Sequence, residues 1–204
     1  MNKKMTICYP VKNGLYVNIT NRCPCACVFC LRKNADGVYG SDSLWLEHEP
    51  SLEEIKAEID RSNPEKYEEL VFCGYGEPTE RLDTLLGVAS YVKSCYNIPI
   101  RINTNGLSDL INGGPTAQKL GGLIDTVSIS LNATDEKSYN EIVRPKFGIK
   151  SYEAMLKFAK DCSLVVPRVV MTVVDVVTSK EEQEKSRKIA ESHGAALRIR
   201  PYEE

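Results

Sequence analysis

The sequence predicts an α/β protein, a single domain built as an open, incomplete (β/α)6 barrel of parallel strands. Three observations lead there. Six short apolar runs alternate with helical patterns along the chain, the order expected of right-handed βαβ units. Several of those runs alternate residue by residue between apolar and polar, so each strand carries a polar set on one face. No low-complexity linker, repeat or composition break divides the 204 residues, a length that buries roughly 70% of its extended surface around one core. One domain over 1–204 is therefore expected.

Taken in order, residues 15–20 read as the first strand. A cysteine-rich loop over 21–34 follows, and then an irregular stretch over 35–50, long enough to act as a lid or substrate loop. Ser51 opens a helix with a capping box, because Glu54 lies three residues on. Leu52, Ile55 and Ile59 give that helix an apolar stripe. Strands are predicted at 70–73, 100–104, 126–131, 168–174 and 197–200. Helices are predicted at 82–95, 116–123, 139–143, 152–162 and 180–193. Pro145 and Gly148 interrupt the helical pattern between 143 and 152, and Gly194 stands where a glycine ends a helix.

The alternation separates a barrel from a flat sheet. A parallel sheet covered on both faces has strands that are apolar throughout. Here Asn18 and Thr20, Arg101 and Asn103, Ser128, Ser130 and Asn132, and Arg198 and Arg200 all interleave with aliphatic neighbours. With helices on the apolar face, the polar sets line a hydrated or ligand-filled lumen. The alternative is that some of these are edge strands facing water.

Composition narrows the class. The chain is 42% hydrophobic and 26% charged with a formal charge of −2, which gives no basic footprint for duplex nucleic acid. The first 14 residues lack the apolar run of a signal peptide, and no stretch has the length of a membrane span. A cytoplasmic protein with no membrane partner is expected. In a reducing compartment, the eight cysteines point to ligation or catalysis before disulfides.

Four of them, Cys23, Cys25, Cys27 and Cys30, fall within eight residues directly after the first strand. Cys23, Cys27 and Cys30 form C-x3-C-x2-C. Three thiolates on one short loop can each ligate one iron of a cubane and leave the fourth iron open, whereas electron-transfer clusters use four cysteines. A zinc knuckle is the alternative, but zinc takes two paired knuckles or a histidine pair, and no partner pair follows. Cys25 alternates too closely with Cys23 and Cys27 to reach a separate corner and reads as a bystander or supporting thiol. Cys8, Cys73, Cys95 and Cys162 read as small buried hydrophobes, Cys73 standing just before a glycine-rich segment. His48 and His193 read as surface residues.

The cysteine spacing, with the aromatic Phe29 before the last ligand, resembles the signature of the radical S-adenosylmethionine (SAM) superfamily. Three more segments fall in matching order. Gly74-Tyr75-Gly76-Glu77-Pro78 after the second strand is similar to the family's glycine-glycine-glutamate motif, with Tyr75 at the middle position. Ser130-Leu131-Asn132 ends the fourth strand, and Asn103-Thr104-Asn105-Gly106 ends the third, where the family places further polar contacts.

The resemblance implies a partial TIM-like barrel and a [4Fe–4S] cluster on Cys23, Cys27 and Cys30. It implies that SAM, bound at the open iron, is cleaved reductively to methionine and a 5′-deoxyadenosyl radical that abstracts hydrogen from a substrate. Gly74, Tyr75, Gly76 and Glu77 would position the methionyl amine, Phe29 would pack on the adenine, and Ser130 and Asn132 would hold ribose or carboxylate. Asn103 would add a polar contact. Arg144-Pro145 resembles an element of wybutosine-type tRNA-modifying members, with Arg144 serving SAM or a substrate phosphate. An external one-electron donor of flavodoxin or ferredoxin type is implied, with a small-molecule or macromolecular substrate. No auxiliary cluster is implied, because no second cysteine cluster follows Cys30. The short chain is most similar to the TatD-associated members. An activating enzyme of a glycyl-radical protein and a non-SAM iron–sulfur electron carrier are the alternatives. Arg198 and Arg200 either pair with surface carboxylates or point into the lumen toward an anionic group.

Overall fold

The computed structural model describes residues 5–33, 37, 40–175 and 179–201. It contains seven strands: β1 (Cys8–Val11), β2 (Gly14–Val17), β3 (Glu69–Phe72), β4 (Ile100–Thr104), β5 (Thr126–Ser130), β6 (Arg168–Val174) and β7 (Ala196–Arg200). The α-helices are α1 (Leu52–Ser62), α2 (Leu82–Cys95), α3 (Ser108–Asn112), α4 (Glu136–Val143), α5 (Ser151–Ser163) and α6 (Lys180–Ser192). Strand order in the single sheet follows the chain, β1 to β7. From β2 onward every neighbouring pair is parallel. A parallel sheet that never reverses its order winds in one direction and curls toward a barrel, whereas a doubly wound sheet reverses at a switch point.

Two expectations need correcting. The sheet has one strand more than the six anticipated, because β1 pairs antiparallel with β2 through a tight turn at Lys12 and Asn13. Pro10 within β1 weakens its strand pattern, yet β1 is an edge, where a missing N–H donor is tolerated. The helix anticipated over 116–123 is a single 3-10 turn at Ala117–Leu120. Short α3 was not anticipated at all.

The period-two pattern partitions as the lumen argument requires. Leu15, Val17, Leu70, Phe72, Ile100, Ile102, Val127, Ile129, Val169 and Met171 join Ile55, Leu85, Val88, Met155 and Phe158 of the helices in one buried core. Tyr16, Val71, Arg101, Thr126 and Arg168 form a continuous cross-strand row on the opposite face. Among the described residues, no helix is long and apolar enough to cross a membrane.

Helix ends follow local chemistry. The predicted capping box of α1 is present: Ser51 accepts from the Glu54 amide, and the Glu54 carboxylate accepts from the Ser51 amide at 2.8 Å. The Ser51 amide and hydroxyl, with His48, hold the Glu54 carboxyl down at about 2. A depressed folded pKa means that the cap's contribution is present above the ordinary carboxylate value and lost as pH falls through 2. Acid unfolding curves of the native chain and Glu54→Gln should therefore diverge above pH 4.5 and converge near pH 2. Parallel curves over that whole range would reject the cap as the cause. At α4, Arg144 adopts φ 49° and ends the helix immediately before Pro145.

Candidate active site at the strand C-termini

The cysteine loop leaves the end of β2 and is held by main chain. The Ala26 amide donates to the Val143 carbonyl at 3.1 Å, Val28 to Ile142 at 3.0 Å, and the Lys146 amide to Pro24 at 2.8 Å. Cys25 bridges to Pro145 as an isolated β pair. The turn after α4 thus supports the loop carrying Cys23, Cys27 and Cys30, all of which are half-buried.

Cys25 is buried, and its thiol lies within hydrogen-bond reach of both Cys23 and Cys27. Donating to Cys23 and then Cys27 pushes Cys25 far above the ordinary thiol value. Accepting those bonds holds Cys23 and Cys27 below it, against the opposing effect of burial. Arg32 assists both, and Lys33 assists Cys27. Burial pushes Cys30 up. Asn105 Nδ2 donates to Cys25 Sγ at 3.6 Å, so Cys25 is gripped from the β4 end as well. Among the described residues, no three His, Cys, Asp or Glu side chains gather as a single-ion site.

The glycine segment packs directly against this loop. A Cβ on Gly76 would stand 2.2 Å from the Thr20 carbonyl oxygen, and one on Gly74 would stand 2.1 Å from Asn18 Oδ1. Only glycine permits that approach. Glu77 follows, 4% exposed, and its amide donates to the Arg22 carbonyl at 2.7 Å. Its carboxylate is occupied by the protein itself. Oε1 accepts from the Thr79 amide, the Thr79 hydroxyl and the Thr104 hydroxyl, and Oε2 accepts from the Asn105 amide at 2.7 Å. Burial raises its pKa, and these donors partly offset the rise.

Glu77 is therefore a clamp joining the ends of β3 and β4, with one acceptor position on Oε2 still to offer an ammonium group. Glu77→Ala leaves four buried donors unpaired and should cost about 3 kcal/mol or more of stability, read as a lower denaturant midpoint with an unchanged slope. A loss below about 1 kcal/mol would refute the clamp.

The remaining anticipated residues divide. Asn132 has φ 60° and is 3% exposed, and its Oδ1 is buried without a hydrogen-bond partner. A buried acceptor left unpaired is costly unless a ligand completes it. Ser130 precedes it, half-buried at the end of β5. Tyr75 is buried with Tyr9, Val11 and Leu44, and the exposed Trp45 packs edge-on at 5.1 Å. Phe29 is half-buried beside Cys30 and lies outside the main core. Asn103 Oδ1 accepts from Arg101 Nη1 at 2.6 Å, which ties it to the lumen wall.

The Arg144 side chain is exposed and donates to the Glu141 carbonyl at 3.3 Å, and its carbonyl accepts from the Ala26 amide of the cysteine loop at 3.3 Å. The anticipated lid is also partly pinned. Leu44 and Leu46 are buried, and Asn18 and Asn21 donate to their carbonyls at 2.7 and 2.8 Å. Residues 34–36, 38 and 39 lie outside the described residues. Among the scattered cysteines, Cys162 is buried, but Cys95 is exposed: it is the last residue of α2, not the buried hydrophobe expected.

Three participants were missed. Arg32 donates to the Tyr75 carbonyl at 3.4 Å and the Cys25 carbonyl at 3.1 Å, linking the cysteine loop to the glycine segment. Thr104 supplies the Glu77 clamp. Tyr139 of α4 is buried with an unpartnered hydroxyl in the electrostatic neighbourhood of Cys25, Cys27 and Glu77. A buried Thr or Tyr gives no sequence signal beyond its place in an apolar stripe.

No curated protein sequence matches the chain. Several solved structures share the fold at low identity. Streptococcus suis SuiB bound to S-adenosylmethionine superposes with a TM-score of 0.66 and 17% identity, covering 93% of this chain and 38% of that one. A maturase of the [FeFe]-hydrogenase, HydG, gives 0.66 and 15%, covering 94% and 42%. A radical SAM methyltransferase from Sphaerobacter thermophilus gives 0.62 and 16%, covering 95% and 57%. The chain thus spans between about two fifths and three fifths of the lengths of these structures. The cysteine loop, the glycine segment and the strand ends that carry them all fall within residues 17–188, which match the model of the radical SAM superfamily, and the chain belongs to that superfamily.

Proposed function

We propose that this chain is a radical SAM enzyme in which Cys23, Cys27 and Cys30 hold a [4Fe–4S] cluster beside a SAM site formed by the glycine segment, Ser130 and Asn132. The observation that carries this reading is the convergence of the loop, Glu77, Asn105 and the orphaned Asn132 Oδ1 at the C-terminal ends of consecutive parallel strands, the end where barrel enzymes assemble their sites. The donor set fits the cofactors. Three thiols on one backbone-braced loop suit a cubane with an open corner, and the unpaired amide oxygen suits a hydroxyl or ammonium donor.

When bound, the two groups supply one-electron reductive cleavage of SAM to methionine and a 5′-deoxyadenosyl radical. This chain's own residues do the holding. The Gly74 and Gly76 backbone allows close approach, the free position on Glu77 Oε2 and the neighbouring carbonyls accept from the methionyl ammonium, and Asn132 Oδ1 accepts from a ribose hydroxyl or the same ammonium. Phe29 offers a ring face to the adenine. Glu77, through Thr104 and Asn105, keeps the β3 and β4 ends in register so that these acceptors converge. Ser130 offers a hydroxyl beside Asn132.

The test is anaerobic reconstitution with iron and sulfide, followed by SAM and dithionite and an assay for 5′-deoxyadenosine. Cleavage that disappears in Cys23→Ala supports the reading. Full iron loading with intact SAM would favour an electron carrier instead.

A further inference from the structure

The lumen contains positive charge that no side chain among the described residues pairs with. Of the ten arginines in the chain, three have side chains with no hydrogen-bond or ion-pair partner among the described residues: Arg168, Arg198 and Arg200. All three lie on the lumen face. Register pairs Thr172 with Arg198 and Val174 with Arg200, and Arg168 pairs with Thr126 in the cross-strand row described above. Glu69 on the same face is already engaged, because Arg101 grips it with Nη2 and Nε at 2.6 and 2.9 Å.

Arg200 is the most demanding of the three. Its Nε is buried and has no partner, and Cys73, Arg198, Tyr16 and Arg101 are among the ionisable groups near it. A guanidinium so placed is costly unless an anion completes it. Arg198 and Arg168 line a cavity of about 370 Å³ with Arg101, Thr126 and Ser128, a volume within the small-molecule range of roughly 300–1,000 Å³. The cavity lies toward the N-terminal ends of the strands, away from the cysteine loop, with Arg200 further along the same face.

We propose that the lumen binds a small-molecule substrate through a phosphate or carboxylate group, held by Arg198 and Arg200 with Arg168 at the far end. The planar guanidinium fork matches either anion with paired hydrogen bonds. The cavity and Arg168 lie at the first residues of β3 to β7, whereas Arg200 ends β7 and Arg198 shares a register row with Thr172 and Ser130. The arginines thus run from the cavity toward the SAM end, and SAM binding decides between substrate and SAM as the source of the anion. A substrate anchored there presents its remainder toward the cofactor end. This deepens the proposed function and rests on it for the word substrate, but the anion site itself stands on the arginines alone.

The test uses the full chain without iron or SAM, so that it is independent of radical chemistry. Inorganic pyrophosphate and citrate are titrated by calorimetry at constant ionic strength, to separate site binding from screening. One equivalent of at least one probe should bind saturably. The Arg198→Gln/Arg200→Gln pair should weaken it by roughly tenfold or more, and Arg200→Lys, which keeps the charge but loses the fork, by less. Arg168→Gln, at an exposed position, should weaken it too and guards against misfolding of the double variant. In a separate titration of the reconstituted chain, SAM affinity should stay unchanged. Absent binding, or equal binding in all variants, overturns the site. A loss of SAM affinity with probe binding intact assigns the anion to SAM and overturns the proposal. Failure of SAM cleavage in the reconstituted enzyme would instead refute the radical SAM reading and leave the anion site standing.

Discussion

Cys23→Ala, Cys27→Ala and Cys30→Ala should each reduce iron and sulfide incorporation and bring 5′-deoxyadenosine formation to background, whereas Cys25→Ala should retain the cluster. The contrast follows from placement. The first three are half-buried on a loop whose backbone is fixed by Ala26, Val28 and Lys146 hydrogen bonds, so none can be replaced by a neighbour shifting along the chain. Cys25 is buried, bridged to Pro145 and bonded by Asn105, and turns inward behind the other thiols. Its removal leaves a small cavity, costs about 1 kcal/mol and withdraws the thiol hydrogen bonds that favour thiolate at Cys23 and Cys27. Cluster assembly in Cys25→Ala should therefore be slower at neutral pH but reach full occupancy. Iron analysis and the visible absorption of reconstituted variants read both quantities. Full cluster loading in Cys27→Ala, or none in Cys25→Ala, would invert the ligand assignment.

Gly76→Ala should be the most damaging substitution that removes no chemical group. The added Cβ would meet Thr20 O at 2.2 Å, Thr20 C at 2.7 Å and Arg22 O at 2.8 Å. All three atoms are backbone, so no side chain can rotate away. Relief requires the β2 and β3 ends to separate, which breaks the 2.7 Å bond between the Glu77 amide and the Arg22 carbonyl and drags on the Glu77 clamp. A stability loss of about 3 kcal/mol, at the upper end for overpacking, should appear with a loss of SAM affinity. Gly114→Ala is the control, since no atom lies within 4 Å of its Cβ and its φ is not positive. Its unfolding midpoint should stay within about 0.5 kcal/mol of the native chain. If Gly76→Ala behaved like that control, close approach of the two loops would not be what the glycine serves.

Much of the fold was legible because its signals are local. The capping box at Ser51 and Glu54, the apolar stripe of α2, and strands β4 and β6 depend on residues within a few positions of one another, and their bounds agree with the structure. The polar alternation at Arg101, Asn103, Ser128 and Arg198 correctly indicated a polar face opposite the core. β1 was not legible, since Pro10 is acceptable only at an edge and the sequence does not say which strand is one.

The site divides along the same line. By itself, the sequence determined the cysteine spacing, the glycine segment and their order after successive strands, because each is a short motif. Which groups those motifs use was decided by tertiary structure. Glu77 reads as a free carboxylate until Thr104 and Asn105, 27 and 28 positions away, close around it. Arg144 reads only as a charged side chain until α4 and the cysteine loop meet and its carbonyl accepts from the Ala26 amide. Arg200 reads as ambiguous until parallel register sets it on the lumen face with its Nε buried and unpartnered among the described residues. Such partnerships depend on which strand ends become neighbours, and that is fixed only when the sheet has curled.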